Sequence, residues 1–219
     1  MDFLTRAIIA NIPNLLAGIR VTTEICLISF AVAAAAGFVV CLLRLYGGPL
    51  RWLARLWIDF GRNTPIFVQL MWVSYAWIDL IGWPKDFFTA AWIALALQSS
   101  GYLAETFRAG IEGVDRGQVE AARSLGMGGV TAFRRIVLPQ ALLAMAPSFV
   151  NQFVVVVKCS TLVSVVTVPD LMYQALRLAS IWNDPVEILS LVALLYIVFI
   201  LAIASGLKRA CDRLRASFA

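Results

Sequence analysis

The sequence contains no histidine, and charged residues make up only 14% of its 219 residues. Without histidine, a Ser-His-Asp triad, a histidine general base and most zinc sites are excluded. No stretch matches the G-x-x-x-x-G-K-[ST] pattern of a phosphate-binding loop. An average soluble domain is about 25% charged and roughly 45–50% apolar. With 61% apolar residues and a mean hydropathy of +0.85, this chain is instead predicted to be an integral membrane protein.

The positive charge of the chain has two explanations. The net charge is +5, from 18 Lys+Arg against 13 Asp+Glu. A basic chain can bind nucleic acid or an anionic surface, but arginines in the loops of a membrane protein also orient its spans. We favour the second explanation and predict no nucleic-acid partner. We expect neither a metal site nor disulfides, because the four cysteines follow no metal-ligand spacing and are not paired in short loops.

Five stretches without charge are long enough to be spans. About 20 residues cross the roughly 30 Å hydrocarbon core as a helix. The first span is predicted over residues 25–43 with an extension upstream from residue 15, and the others over 63–78, 87–104, 136–157 and 188–207. Pro147 is expected to kink the fourth span. The sequence thus predicts one domain, residues 1–219, with an all-α fold of five transmembrane helices.

The distribution of lysine and arginine orients these spans. Thirteen of the 18 cations fall in loops on one side, and three fall on the other: Arg6, Lys85 and Arg177. Because cytoplasmic loops are enriched in these residues, the N-terminus is predicted outside and the C-terminus in the cytoplasm. Residues 49–61 alternate aromatic and basic side chains, which predicts an amphipathic helix at the cytoplasmic interface. A short outer helix is expected around residues 171–180.

The longest cytoplasmic connection, residues 109–140, contains a spaced pattern. It reads E-A-A-x3-G-x9-I-x-L-P, and every position is filled: Glu120, Ala121, Ala122, Gly126, Ile136, Leu138 and Pro139. A bare Glu-Ala-Ala triplet is common in helices, but the complete pattern between two spans is specific. It resembles the EAA signature of the permease subunits of bacterial ATP-binding-cassette (ABC) importers.

The residues around the signature suit a docking helix. One helical face carries side chains that another protein could approach closely: Gln118, Ala121, Ala122 and Leu125. Charged residues at ion-pair spacing lie on the other side: Arg116, Glu120 and Arg123. Gly117 precedes the signature, and Gly126 is expected to end the helix. Taken without the signature, this helical pattern would also fit a solvated loop helix with surface ion pairs. The complete signature favours a docking helix.

Two segments near the second and third spans resemble the permease subunits of polar amino-acid importers. Residues 58–70, IDFGRNTPIFVQL, are similar to the F-R-x-T-P-L-x-V-Q-L of that family, with Gly61 before the arginine. Residues 100–111, SGYLAETFRAGI, resemble the A-Y-x-A-E-x-x-R-G-G-I of the same family. Here Gly101 replaces the first alanine and Ala109 replaces a glycine.

Three shorter segments extend the resemblance. Residues 117–122 (GQVEAA) and 139–142 (PQAL) match the family's G-Q-x-E-A-A and P-Q-A-L. Lys158 begins a segment, KCSTL, where the family usually has K-D-T-S-L, so Cys159 stands in place of an acidic residue. The chain is therefore similar to the membrane subunits of histidine/glutamine/glutamate-type amino-acid importers.

The resemblance implies a type I ABC importer permease fold in the bacterial inner membrane. It also implies two ABC ATPase subunits, a second permease subunit (identical or paralogous), a solute-binding protein and an amino-acid substrate. The ATPase subunits would bind ATP and magnesium, and this chain would hold no cofactor and catalyse no reaction. The alternatives are an importer of another small polar solute, a channel or exporter subunit without ATPases, and a non-transporting scaffold.

Polar residues within the spans are the candidates for a substrate path: Lys158, Asn151, Gln152, Thr161, Gln69 and Gln98. The alternative for each amide or hydroxyl is a hydrogen bond that holds two helices together. Glu105 and Arg108 are expected to form an i,i+3 pair near the cytoplasmic gate.

The charge of Lys158 bears on the substrate. A buried cation without its carboxylate is costly and attracts an anion. Because the family's acid is missing at Cys159, the sequence favours a substrate with a side-chain carboxylate. The alternative is that Lys158 pairs with an acid along a subunit interface.

Overall fold

The structure, a computed structural model, describes the backbone of residues 2–218 and the side chains of residues 11–213. Throughout this described part the chain is helical and contains no strand, which confirms the predicted all-α fold. The helices are α1 (Asp2–Tyr46), α2 (Arg51–Asn63), α3 (Ile66–Ile81), α4 (Phe87–Glu112), α5 (Arg116–Ser124), α6 (Gly129–Val166), α7 (Leu171–Trp182) and α8 (Pro185–Phe218).

Four of these helices, α1, α4, α6 and α8, are long and apolar enough to cross a membrane. The fifth crossing is α3, which follows α2 after a bend of 105°. At 1.5 Å per residue α3 is about 24 Å long, somewhat shorter than the hydrocarbon core. The structure therefore supports the five predicted spans.

Local chemistry explains the bend between α2 and α3. Thr64 is extended (φ −88°, ψ 129°), as expected of the residue before a proline, and Pro65 is the N-cap of α3. The buried side chain of Gln69 closes the corner. Its Nε2 donates to the carbonyl oxygens of Phe60 and Gly61, each 3.3 Å away, in the last turn of α2. Gln69 thus clamps the bend, and its side chain is directed at the carbonyls of α2 within this chain.

The helix α4 is the centre of the bundle, and it packs against α1, α2, α3 and α6. Its approach to α2 is especially close. An ideal Cβ on Gly61 would lie 3.0 Å from the carbonyl oxygen of Leu97, and one on Gly101 would lie 3.1 Å from that of Ile58. The two glycines that depart from the family pattern therefore lie on opposite sides of the same helix contact.

The fourth span differs from its prediction. The helix α6 begins at Gly129 rather than near residue 136, and it continues through Pro147 without a break. The regular α-helix is interrupted by a π turn at Phe133–Val137, just before Pro139. Proline cannot donate a hydrogen bond to the carbonyl four residues earlier, and a π turn accommodates such a gap.

The remaining elements match the predictions in kind and differ in their bounds. The interfacial helix α2 exposes Trp52, Leu53 and Leu56 at 47–58%, as expected for side chains that face lipid. The outer helix predicted around residues 171–180 is α7. The helices α1 and α8 extend past their predicted spans at one or both ends, because the absence of charge marks the membrane portion of a helix and not its ends.

The glycine contact can be tested by adding a methyl group to each partner. We expect Gly61→Ala and Gly101→Ala each to destabilise the protein by roughly 1–3 kcal/mol, because the added Cβ overpacks the α2–α4 contact. The measurement is the midpoint of thermal unfolding in detergent.

Gly206→Ala is the matched control, since Gly206 lies in α8 and an added Cβ there meets nothing within 4 Å. It should be neutral or stabilising by up to about 1 kcal/mol, because alanine favours a helix over glycine. If Gly101→Ala were as stable as this control, the close approach would be refuted.

Candidate functional site

One face of α6 is left uncovered by the rest of the described chain. Between Ala144 and Lys158, at 100° per residue, the exposed positions fall within an arc of about 100°: Ala144, Pro147, Ser148, Asn151, Val155 and Lys158. We call this set the α6 stripe. Its outer end carries Lys158 and its middle carries Asn151, so the prediction that these two share one helical face is confirmed. Among the residues whose side chains are described, Lys158 forms no ion pair.

The other predicted path residues lie elsewhere. Thr161 is half-buried in a 3-10 turn, and its Oγ1 donates to the carbonyl oxygen of Lys158 at 2.8 Å. Gln152 has a buried Nε2 with no hydrogen-bond partner in the described part of the chain. Gln98 is half-buried where α4 meets α2. The structure therefore brings Lys158 and Asn151 together on the α6 stripe, and it keeps Gln152, Thr161 and Gln98 off it.

The cytoplasmic end of the α6 stripe opens into a cleft of about 640 Å³ between α4 and α6. Its lining contains both polar and apolar side chains: Arg62, Tyr102, Glu105, Thr106, Arg108, Ala109, Gly110, Ala144, Met145 and Ser148. Ala144 and Ser148 belong to the stripe as well, so the stripe and the cleft are continuous.

The acid in the cleft is held by two arginines. Arg108 Nε donates to Glu105 Oε2 at 2.9 Å, which confirms the expected pair, and Arg108 also pairs with Glu112. The other oxygen of Glu105 accepts from Arg44 of α1. Sequence reasoning missed Arg44, because 61 residues separate it from Glu105 and no local spacing predicts the contact.

The signature helix α5 has defined ends. Asp115 is its N-cap, and its Oδ1 accepts a 2.6 Å hydrogen bond from the Gly117 N–H. At the C-terminal end Gly126 has φ +77°, a conformation that favours glycine. The N–H groups of Gly126 and Met127 donate to the carbonyls of Arg123 and Ala122, at 2.9 and 3.1 Å. These two bonds form a complete Schellman motif, so the predicted termination at Gly126 is confirmed.

Only part of the predicted docking face of α5 is available to another protein. Gln118, Ala121 and Leu125 are exposed, with Leu125 at 81%. Ala122 is only 3% exposed, on a helix that packs against the first turns of α6. Its small side chain therefore serves packing within this chain. Glu120 is exposed, and within the described side chains it makes no ion pair with Arg116 or Arg123, contrary to expectation.

A buried carboxyl group lies at the junction of α1, α6, α7 and α8. Asp170 is the N-cap of α7, and its Oδ1 accepts from the Tyr173 N–H at 2.8 Å. The next N–H, that of Leu171, donates to Thr22 Oγ1 of α1 at 3.1 Å. The Oδ2 atom is buried and has no hydrogen-bond partner of normal geometry among the described residues. Burial raises the pKa of Asp170 to about 7, although backbone hydrogen bonds oppose the shift.

A family model and two related sequences all match this chain to membrane components of transport systems. The model of a family described as "Binding-protein-dependent transport system inner membrane component" matches residues 27–216. The chain is similar to the arginine transport system permease protein of Bacillus subtilis (strain 168), with 33% identity over 97% of this chain and 96% of the relative. It is also similar to the probable glutamine ABC transporter permease protein of that organism, with 36% identity over 88% and 91%.

A solved structure shows the same likeness in three dimensions. The crystal structure of an amino acid ABC transporter with histidines matches with a TM-score of 0.88 and 34% identity, over 97% of this chain and 99% of that one. An inward-facing structure of the MetNI methionine ABC transporter matches with a TM-score of 0.81 at 17% identity, over 94% and 98%, and shows the shared fold alone. The predicted resemblance to amino-acid ABC permeases, and with it the type I fold, is confirmed.

Asp170 gives the chain a testable pH dependence. Its pKa is higher in the folded protein than the ordinary value of 3.8, so its stabilising contribution is fully present below about pH 3.8 and is lost as the pH rises to about 7. We expect wild-type stability to fall by up to about 1.4 kcal/mol per pH unit between about pH 4 and pH 7 from this group, and this contribution to level off above pH 7. Asp170→Asn keeps an oxygen for the cap and removes the ionisation, so its thermal midpoint in detergent should fall less between about pH 4.5 and pH 7.

Asp86→Asn is the matched control. Asp86 caps α4 in the same way, accepting from the Thr89 N–H at 2.8 Å, but that hydrogen bond is exposed. This variant should keep the wild-type pH dependence. Equal slopes in the wild type and Asp170→Asn would show that Asp170 does not titrate in this range.

Proposed function

The chain belongs to the family of inner-membrane components of binding-protein-dependent transport systems, and from this premise we propose that it forms the path for an amino acid and couples that path to ATP hydrolysis. As a permease subunit it is a non-catalytic, multi-pass protein of the bacterial inner membrane, in agreement with the sequence prediction. The names of its relatives, an arginine and a glutamine permease, support an amino-acid substrate.

The continuity of α6 carries the proposal. This helix starts three residues after the glycine that ends the signature helix and runs without a break from Gly129 to Val166. The same helix bears the α6 stripe, with Asn151 and Lys158. A displacement of α5 would therefore reach the stripe through one helix.

The exposed surface around α5 supports docking of ATPase subunits from the cytoplasm. Leu125 is 81% exposed and Val130 is 75% exposed, on either side of the glycine turn. Two large apolar side chains displayed this openly at the end of a capped helix are typical of an interaction site. In this arrangement the ATPase subunits bind ATP and magnesium, a second permease subunit faces the α6 stripe, and a solute-binding protein delivers substrate from outside.

The coupling role can be tested at the end of α5. Gly126→Val places a β-branched residue at φ +77°, which is strongly disfavoured and should displace Leu125. Glu120→Lys creates a third positive charge beside Arg116 and Arg123. We expect both variants to lose at least tenfold in substrate-stimulated ATP hydrolysis of the reconstituted importer while still inserting into the membrane.

Gly128→Val is the matched control for the first variant. Gly128 has φ −66°, and nothing lies within 4 Å of an added Cβ, so valine fits there without strain. Glu120→Gln removes the charge without reversing it and should have a smaller effect than Glu120→Lys. Normal stimulated hydrolysis in Gly126→Val and Glu120→Lys would show that this loop does not couple.

The charge of Lys158 supports an anionic preference. Lys158 is exposed on the open α6 stripe and has no acidic partner in the described part of the chain, and its neighbour is Cys159 rather than an acid. A cation in this position attracts a substrate with a side-chain carboxylate, such as glutamate or aspartate. The competing role is an ion pair with an acid of the second permease subunit.

Uptake into proteoliposomes separates these two roles. If Lys158 binds the substrate, Lys158→Met should reduce uptake of acidic amino acids at least tenfold, and Cys159→Asp should shift preference toward neutral or basic ones. Arg177→Met, which removes an exposed cation on the outer helix α7, should leave uptake unchanged. Intact uptake of acidic amino acids in Lys158→Met, or a wild type that prefers arginine, would contradict the charge argument.

A further inference from the structure

The cleft at the cytoplasmic end of the α6 stripe contains a guanidinium group without a carboxylate partner. Arg62 lines the cleft from the end of α2. The acid of the cleft, Glu105, does not neutralise it, because its two oxygens are bound by Arg44 and Arg108. Within the described residues Arg62 forms no ion pair, so its N–H donors remain available to a ligand.

Three contacts fix the position of Arg62. Its Cζ lies 5.4 Å from the centroid of the Tyr102 ring, in a cation–π arrangement. The Tyr102 hydroxyl donates to the carbonyl oxygen of Arg62 at 3.3 Å. An ideal Cβ on Gly101 would lie 3.3 Å from Arg62 Cγ, so the glycine leaves room for the arginine stem. Arg62 is exposed, and the cation–π contact orients its guanidinium before any ligand arrives, which lowers the entropic cost of binding.

The cleft has an excess of positive charge. Arg62 and Arg108 line it against the single acid Glu105. The outer partners of this network, Arg44 and Glu112, carry opposite charges and cancel. With a volume of about 640 Å³, the cleft also has the size usual for sites that bind small molecules. Charge and size together fit a small ligand that bears a carboxylate.

We propose that Arg62, stacked on Tyr102, binds the α-carboxylate of the transported amino acid at the cytoplasmic end of the α6 stripe. This assignment rests on the proposed transport function. Ser148 lies in the cleft lining, and Lys158 lies ten residues further along α6, about 15 Å from Ser148 along the helix axis. Every amino acid carries the α-carboxylate, so Arg62 accepts all side chains, whereas Lys158 discriminates between them.

Binding to the assembled transporter without its solute-binding protein tests this subsite. The probes are L-glutamine, L-glutamate, L-arginine and L-histidine, each compared with its α-amide, which lacks the α-carboxylate charge. Ligand binding raises the thermal midpoint of the complex, and the shift grows with the logarithm of the ratio of ligand concentration to Kd. We expect a shift from at least one free amino acid, at least tenfold weaker binding of its amide, and at least tenfold weaker binding in Arg62→Gln, with partial rescue in Arg62→Lys.

Arg55→Gln is the matched control, because Arg55 is an exposed arginine of the same helix and lies outside the cleft lining. It should bind the amino acid as the wild type does. Should Arg62→Gln fail to assemble, Tyr102→Leu and Ser148→Ala carry the test, with weaker binding expected in both.

Several results would overturn the subsite. These are unchanged binding in Arg62→Gln, equal binding of the α-amide, absence of a shift with all four amino acids, or equally strong competition by inorganic phosphate, which would mark a general anion site. Failure of the subsite is distinguishable from failure of the transport function. If the wild type imports an amino acid in an ATP-dependent way and Gly126→Val does not, the proposed transport function stands even where Arg62→Gln binds the amino acid normally.

Discussion

The small side chains along α4 are the constraint on which the rest of the structure depends. Within a bilayer, apolar burial gives little gain, so helices associate through close packing and hydrogen bonds. The helix α4 contacts α1, α2, α3 and α6, and most of its buried positions are small: Ala90, Ala91, Ala94, Ala96, Ser99, Ser100, Gly101, Ala104 and Gly110. One of them also forms a hydrogen bond between helices, where Trp57 Nε1 donates to Ser100 Oγ at 2.9 Å.

This packing determines the electrostatics of the cytoplasmic end. The approach of α2 to α4 at Gly101 brings Arg62 over Tyr102. On the opposite side, Gly37 of α1 lies so close to α4 that an added Cβ would be 2.9 Å from the carbonyl oxygen of Ser100, and this approach brings Arg44 to Glu105. The charges of the cleft are therefore arranged by backbone contacts along α4 and not by their spacing in sequence.

Features that depend on neighbouring residues were predictable from the sequence. The number and order of the spans follow from runs without charge, and the end of α5 at Gly126 follows from a glycine after a helical pattern. The signature and the flanking motifs predicted the family, because their spacing is specific over long stretches. The ends of α1 and α8 were not predictable from hydropathy, since a helix continues into water once its first turns are stable.

The sequence did not predict which residues of a helical face are buried by another part of the chain. Ala121 and Ala122 are adjacent alanines on the same predicted docking face, yet Ala121 is exposed and Ala122 is buried. Gln69 is a polar residue within a span, which made it a candidate for the path. The bend after Asn63 turns its side chain toward the carbonyls of α2. Periodicity places residues on a face, and only the tertiary arrangement decides whether that face meets another helix, lipid or a partner.

The irregular turns of α6 give the proposed coupling a mechanical basis. The π turn at Phe133–Val137 lies between α5 and the stripe, and the 3-10 turn at Thr161–Val166 lies beyond Lys158. Between them, Leu138–Ser160 is regular α-helix and carries the whole α6 stripe. Because helices bend at π turns, a displacement of α5 would be passed on at Phe133–Val137 as a rotation or tilt of the helix beyond it. The stripe would then move as one body, so Asn151 and Lys158 would change their exposure together.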